Sequence, residues 1–193
     1  IAAHCEDQET IKNNIEKYKQ KYKGADDIPV SAHPSIRSVP ACYASSELAV
    51  RLAKIAGARL HILHVSTAKE LQLFSDEPLA SKNITAEACV AHLLFTLTHY
   101  NSLGTRIKCN PAVKRKTDRE ALRAAVNSGL IDVIATDHAP HLLNEKEGGA
   151  LKAMSGMPMI QFSLVSMLEL VDEGVFSLET VVQKMCHAPA RIY

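Results

Sequence analysis

At 193 residues, 47% of them hydrophobic, the chain has the length of one domain or a large piece of one and a composition that excludes intrinsic disorder. Its 22 Lys and Arg face 21 Asp and Glu, so no basic excess marks a partner for nucleic acid or an anionic membrane. No apolar run reaches the roughly eighteen residues of a spanning helix and no signal segment opens the chain, which predicts a soluble, cytoplasmic protein with neither kind of partner.

Ile1-Ala2-Ala3-His4 resembles the last half of a buried strand, so the chain is expected to begin inside a domain. Thr10 to Lys23 reads as a polar, Lys-rich, exposed helix closed by Gly24. After a loop with Pro29, Pro34 and Pro40, residues Ala41 to Ala56 place Leu48, Leu52 and Ile55 at helical spacing before Gly57. Arg59 to Val65 is a short apolar strand, and Thr67 to Phe74 a short helix. Asn83 to Glu87 is a strand or its entry, Cys89 to Thr98 a mostly apolar helix, and Thr105 to Cys109 a further extended piece closed by Asn110-Pro111. Thr117-Asp-Arg-Glu120 matches a capping box that opens a helix through Asn127, ending at Gly129. The apolar strand Leu130 to Ala135 then runs into Asp137. A long loop to Pro158 follows, read as a mobile cover or an ordinary exposed loop, and after it helices at Ile160 to Glu173 and Leu178 to His187.

Such alternation predicts an α/β chain with a parallel sheet and helical crossovers. About four strand-helix units are visible, whereas a closed (β/α)8 barrel has eight and about 250 residues. The expectation is therefore one domain, residues 1–193, forming the C-terminal part of such a barrel, with its N-terminal half not in this sequence. An open doubly wound sheet competes, but no strand leads into a Gly-rich phosphate-binding loop.

Three ligand-type residues fall at the C-terminal ends of candidate strands: His4, His64 and Asp137. In a parallel barrel those ends converge on one face, and imidazole with carboxylate suits zinc or a similar divalent ion. Singly, each has a plain alternative, a hydrogen-bonded structural histidine or, for Asp-His-Ala-Pro, a turn. Strand alternation turns His61 and His64 to opposite faces, which makes His64 the ligand candidate and predicts that His61 packs against helices. Cys5 should face away from His4 by the same rule. His92 and His99 have no distinguishing feature, and His187 is expected to cap a helix end. Five cysteines without a C-x-x-C pair predict reduced, mostly buried thiols.

His4-Cys-Glu-Asp7, His61-Ile-Leu-His-Val-Ser-Thr67, Thr85-Ala-Glu87, Lys108-Cys-Asn-Pro111 and Ala135-Thr-Asp-His-Ala-Pro-His141 occur in the order found in dihydroorotases of the cyclic amidohydrolase group. The chain resembles the class I type over nearly its whole length, from the fifth barrel strand to the helices after the eighth, and the Thr-Asp-His-Ala-Pro-His block is the most specific part. The resemblance implies that His4 and His64 ligate zinc, as one or two ions, and that Asp137 is both ligand and catalytic acid/base. It implies substrate contacts by Asn110, His141, Ser155 and Gly156, with His141 near the substrate carboxylate. The implied reaction is the reversible cyclisation of N-carbamoyl-L-aspartate to dihydroorotate in pyrimidine biosynthesis. A homodimer is also implied, with aspartate transcarbamoylase as a candidate partner. Three stretches depart from the family's usual wording: Ala91-His92, Asn110-Pro-Ala-Val-Lys114 and Ala153-Met-Ser-Gly156.

Family members also carry a His-x-His/Arg motif on the first strand, an early substrate-binding Asn and a bridging Lys or Asp, none of which is found here. These residues alone are therefore expected not to form an active enzyme. Two further readings stay open: another cyclic amidohydrolase of the allantoinase or hydantoinase type, and a non-catalytic dihydroorotase-like scaffold, which would show eroded ligands.

Overall fold

A computed structural model describes residues 1–193. Four short strands, β1 (Ala2–Ala3), β2 (Leu60–Ile62), β3 (Ile84–Cys89) and β4 (Val133–Ala135), lie side by side in chain order, all parallel. Parallel neighbours cannot be joined by a hairpin, so the connections carry helices. Between β1 and β2 come α1 (Gln8–Lys21), α2 (His33–Ile36) and α3 (Val39–Ala56). Between β3 and β4 come α4 (Val90–Leu94), α5 (Tyr100–Leu103) and α6 (Lys116–Ser128). After β4 the chain forms α7 (Ile160–Asp172), α8 (Leu178–Val182) and α9 (Ala188–Ile192). No helix is long and apolar enough to cross a membrane.

The register pairs Ala2 with His61, His61 with Thr85 and Ala88 with Ile134. One face of the sheet therefore presents Leu60, Ile62, Ala86, Ala88 and Ile134, all in the main core with Val50 and Ala53 of α3, Leu122 of α6 and Met167 of α7. Burying each large apolar side chain there is worth about 1.5–3 kcal/mol, and truncating fully buried Ile62 to Ala would cost about 2–5 kcal/mol. A buried pair sets β4 against β3: Lys82 Nζ donates to Asp132 Oδ1 at 2.8 Å and to the Gly129 carbonyl at 2.7 Å, while Asp132 Oδ2 accepts the Ala86 N–H at 3.0 Å. That contact fixes where the chain leaves β4 toward Asp137.

Several local expectations are corrected. His61 does not face α3, α6 and α7: it lies on the opposite face from Ile62, with Nδ1 2.8 Å from Thr85 Oγ1, Nε2 3.2 Å from Glu87 Oε2 and its ring edge to face with Tyr193 at the end of α9. Period-two alternation fails at His64 because the residue lies beyond the strand in a left-handed conformation, φ 40°. Thr105 to Cys109 joins no strand. Gly104–Ile107 is a 3-10 turn, and β3 pairs directly with β4. The helix expected over Cys89 to Thr98 is only α4, because Cys89 completes β3 and Phe95 and Thr96 are extended. The short helix expected over Thr67 to Phe74 is present as the 3-10 helix Glu70–Leu73, entered by Thr67 Oγ1 donating to Glu70. The helix α6 starts before Thr117: its cap is the Asp118 carboxylate, which accepts the Arg115 N–H at 3.2 Å.

His187 caps nothing. Gln183–His187 is a π turn that carries the helix on into α9, and Pro189 sits in the first turn of α9, where its missing N–H costs little. The loop after β4 is not a free cover. Its Lys146, Gly149, Ala150, Ala153 and Gly156 are buried, and Asp27 accepts the N–H groups of Gly149, Lys152 and Leu151 at 2.7, 3.0 and 3.2 Å.

Candidate functional site

Four consecutive residues after β1 go to four different tasks. His4 stands at the strand end, half-exposed, and Cys5 turns into the main core, where burial pushes its thiol up. Glu6 is buried against Arg37, and Asp7 caps α1 by accepting the Thr10 N–H at 2.8 Å. Alternation along an extended segment sends His4 and Cys5 to opposite sides, as expected from the sequence.

His64 leaves β2 and turns back on His4. Its Nε2 lies 2.7 Å from His4 Nδ1, and the two rings meet edge to face with centroids 4.6 Å apart. Its backbone N–H donates to Glu87 Oε1 at 3.3 Å. Burial, then the neighbouring His4, lowers the His64 pKa, while the carboxylates of Asp137 and Glu87 oppose the shift. The turn that follows is held by buried Glu70, which accepts the Ser46 and Thr67 hydroxyls at 2.7 and 2.8 Å and the N–H groups of Ser66 and Thr67.

Asp137 stands two residues beyond β4, exposed, with φ 46°. His64 and Asp137 are the only non-glycine residues with positive φ. Left-handed backbone costs such residues of order 1–3 kcal/mol, and strain of that kind gathers where geometry serves function.

Two imidazole nitrogens turned on one point are the donor chemistry of zinc or a similar divalent ion, and His4 and His64 fit as two of its ligands. Asp137 is not gathered with them: no group of three or more His, Cys, Asp or Glu side chains forms a metal-holding cluster. Its carboxylate reaches His64 through its charge.

The four residues implied as substrate contacts lie together, with His141 against both Ser155 and Gly156. Asn110 and Ser155 share a cleft of about 380 Å³ with His33, Arg37 and Lys108. His141 Nε2 is 3.1 Å from the Ser155 carbonyl. A carbonyl only accepts, so Nε2 carries the proton. Asn110 Oδ1 is buried without a protein partner beside this cleft. Gly156 is where backbone meets backbone: a Cβ there would lie 2.5 Å from the Ala139 oxygen. His138, which the sequence left unassigned, accepts the Ile160 N–H at 3.1 Å and so caps α7.

Sequence reasoning missed two supporting residues. Arg37 has no local signature, because its partner Glu6 is remote in sequence. Lys146 lies in a charged loop that reads as solvated, yet its ammonium is buried and donates to the carbonyls of Lys108, Met154 and Gly156 at 3.0, 2.8 and 2.8 Å.

The amidohydrolase family model matches residues 1–193. A protein named dihydroorotase from Endomicrobium trichonymphae is 34% identical over 196 residues, covering 100% of this chain and 44% of that protein. Another from Aquifex aeolicus is 40% identical over 141 residues, covering 73% of this chain and 33% of that protein. The chain thus spans less than half the length of these curated relatives. Among solved structures, an L-hydantoinase (dihydropyrimidinase) from Arthrobacter aurescens superposes with a TM-score of 0.90 at 28% identity, over 100% of this chain and 43% of that one. A dihydroorotase from Saccharomyces cerevisiae, in complex with 5-fluoroorotic acid, gives 0.71 at 18% identity over 80% of this chain and 44% of that one, a likeness of fold alone.

Proposed function

The chain belongs to the amidohydrolase family, and from that premise we propose that it is the C-terminal part of a zinc-dependent dihydroorotase. The observation that carries this reading is the pair His4 Nδ1 and His64 Nε2, 2.7 Å apart at adjacent strand ends. Relatives named dihydroorotase support it at 32–40% identity, and the intact His4, His64 and Asp137 argue against an eroded scaffold.

The substrate is dihydroorotate, opened to N-carbamoyl-L-aspartate or formed from it. When bound, zinc supplies an acidified water as nucleophile and polarises the cyclic amide carbonyl. His4 and His64 would hold it, with Asp137 as the further ligand that the resemblance implies. Asp137 acts as the proton carrier: its carboxylate takes the proton of the attacking water and delivers it to the ring nitrogen as the C–N bond breaks. In the biosynthetic direction the nitrogen gives its proton to Asp137 as the C–N bond forms, and Asp137 passes it to the departing oxygen, which leaves as water. Asn110 Oδ1, with no protein partner, accepts from an amide N–H of the substrate. His141, its ring held by the Ser155 carbonyl, stands beside the carboxylate end, and the Gly156 backbone borders the ring. Fixing these groups before the reaction removes orientational freedom from the barrier.

A hydantoinase-type activity is the second reading, favoured by the close superposition on the L-hydantoinase. The full-length protein, loaded with zinc, should turn over dihydroorotate and carbamoyl aspartate and lose activity on chelation. Turnover of a 5-substituted hydantoin without dihydroorotate would select the second reading, and no turnover of either would reject both. The first reading also carries a cytoplasmic homodimer and association with aspartate transcarbamoylase, which sedimentation of the pure and mixed proteins tests.

A further inference from the structure

We infer that Glu6, held in place by Arg37, is a positioning residue that commits His4 to metal binding through Nδ1. The inference rests on the metal-dependent reading above and deepens it. The Glu6 side chain is 0% exposed, and its Oε2 lies 3.4 Å from His4 Nε2 while accepting from Arg37 Nη1. A carboxylate only accepts, so this charge pair favours the imidazole proton on Nε2 and leaves Nδ1 as the lone-pair side of the ring. Nδ1 is the atom that faces His64 Nε2. Ligating imidazoles commonly give their other N–H to a carboxylate, which fixes tautomer and ring orientation and strengthens the donor.

Arg37 completes the arrangement. It enters from the C-terminal end of α2 and neutralises a carboxylate that would otherwise be buried without a counter-charge. The order is thus Arg37, Glu6, His4 and metal, each fixing the next. A plain ion pair that only packs α2 against the sheet would affect folding, but it would leave the His4 tautomer and the zinc affinity of the folded protein unchanged.

The test compares full-length wild-type protein with Glu6→Gln and with Glu6→Gln/Arg37→Met, in which no guanidinium is left unpaired should the single variant fold poorly. Zinc affinity is read by competition with a chelator, and the His4 tautomer by nitrogen NMR of the metal-free protein. Both variants should bind zinc about 10- to 100-fold more weakly, and the wild-type preference for a proton on Nε2 should fall. Undiminished zinc affinity with an unchanged tautomer in a folded variant overturns this inference alone. A wild-type protein that binds no zinc overturns the metal-dependent reading and this inference with it.

Discussion

Replacing Lys146 by Met tests whether the loop carrying Ser155 and Gly156 is a built part of the site. The change keeps most of the side-chain volume and removes three donated hydrogen bonds. The Lys108 carbonyl keeps a second partner, the Gly156 N–H at 2.8 Å, so the Met154 and Gly156 carbonyls are the two that lose theirs. The buried Gly156 acceptor left unpaired costs about 1–3 kcal/mol, and the part-buried Met154 acceptor, which water can reach, about 1 kcal/mol, a gross loss of about 2–4 kcal/mol. Part of that returns, because burial already lowers the Lys146 pKa and so disfavours its charged form in the fold. A net destabilisation of about 2 kcal/mol follows. Urea unfolding of the full-length protein measures it, with Lys152→Met in the same loop as control. Lys152 is exposed and pairs only with exposed Asp26, so its loss should stay within about 0.5 kcal/mol. In assays of dihydroorotate turnover, Lys146→Met should raise KM more than it lowers kcat, since it loosens substrate contacts and leaves Asp137 in place. If Lys146→Met proves as stable as the Lys152 control, the clamp is not holding the loop.

Gly156→Ala should be more disruptive than its one added methyl suggests: at φ 145° the Cβ would meet the Ala139 oxygen and Cβ at 2.5 and 2.6 Å, costing about 3 kcal/mol. Wild-type stability and KM in this variant would contradict the close approach. Acid should destabilise the metal-free protein before most carboxylates titrate. Burial drives His33 down to about 3 and His92 to about 4, so the fold keeps both neutral while the unfolded chain takes up protons below about 6.5. Their contribution is complete above that value and is lost as pH falls toward the folded pKa values, about 2 kcal/mol per histidine by pH 5; equal unfolding free energies at pH 7 and pH 5 would refute it. Asp137→Asn should lower kcat by about 100-fold or more with an unchanged unfolding midpoint, because the carboxylate is exposed and, in the proposed mechanism, carries the proton. Near-wild-type kcat would remove it from that role.

The strand-end positions of His4, His64 and Asp137 were legible because short apolar runs end in polar residues, and in parallel strands those ends share one side of the sheet. Helix ends were readable where a local signal acts alone: Gly57 and Gly129 both take the left-handed conformation that closes α3 and α6. What escaped was set by remote partners. His61 was given to the helices by counting in twos from His64, a count that one left-handed residue invalidates. Lys146 and Arg37 read as surface charges until the chain folds carbonyls and a carboxylate around them. The π turn at Gln183–His187 carries a helix to Pro189, a residue that would ordinarily mark its end.

The left-handed backbone at His64 and Asp137 sets stability and chemistry against each other at two identifiable positions. Glycine would relieve strain of order 1 kcal/mol or more; at exposed Asp137 selection for heat resistance alone, blind to turnover, would favour discarding the side chain, whereas at buried His64 the lost packing against His4 opposes it. Engineering for robustness should therefore hold both positions fixed and seek its gains on the opposite, helix-packed face of the sheet.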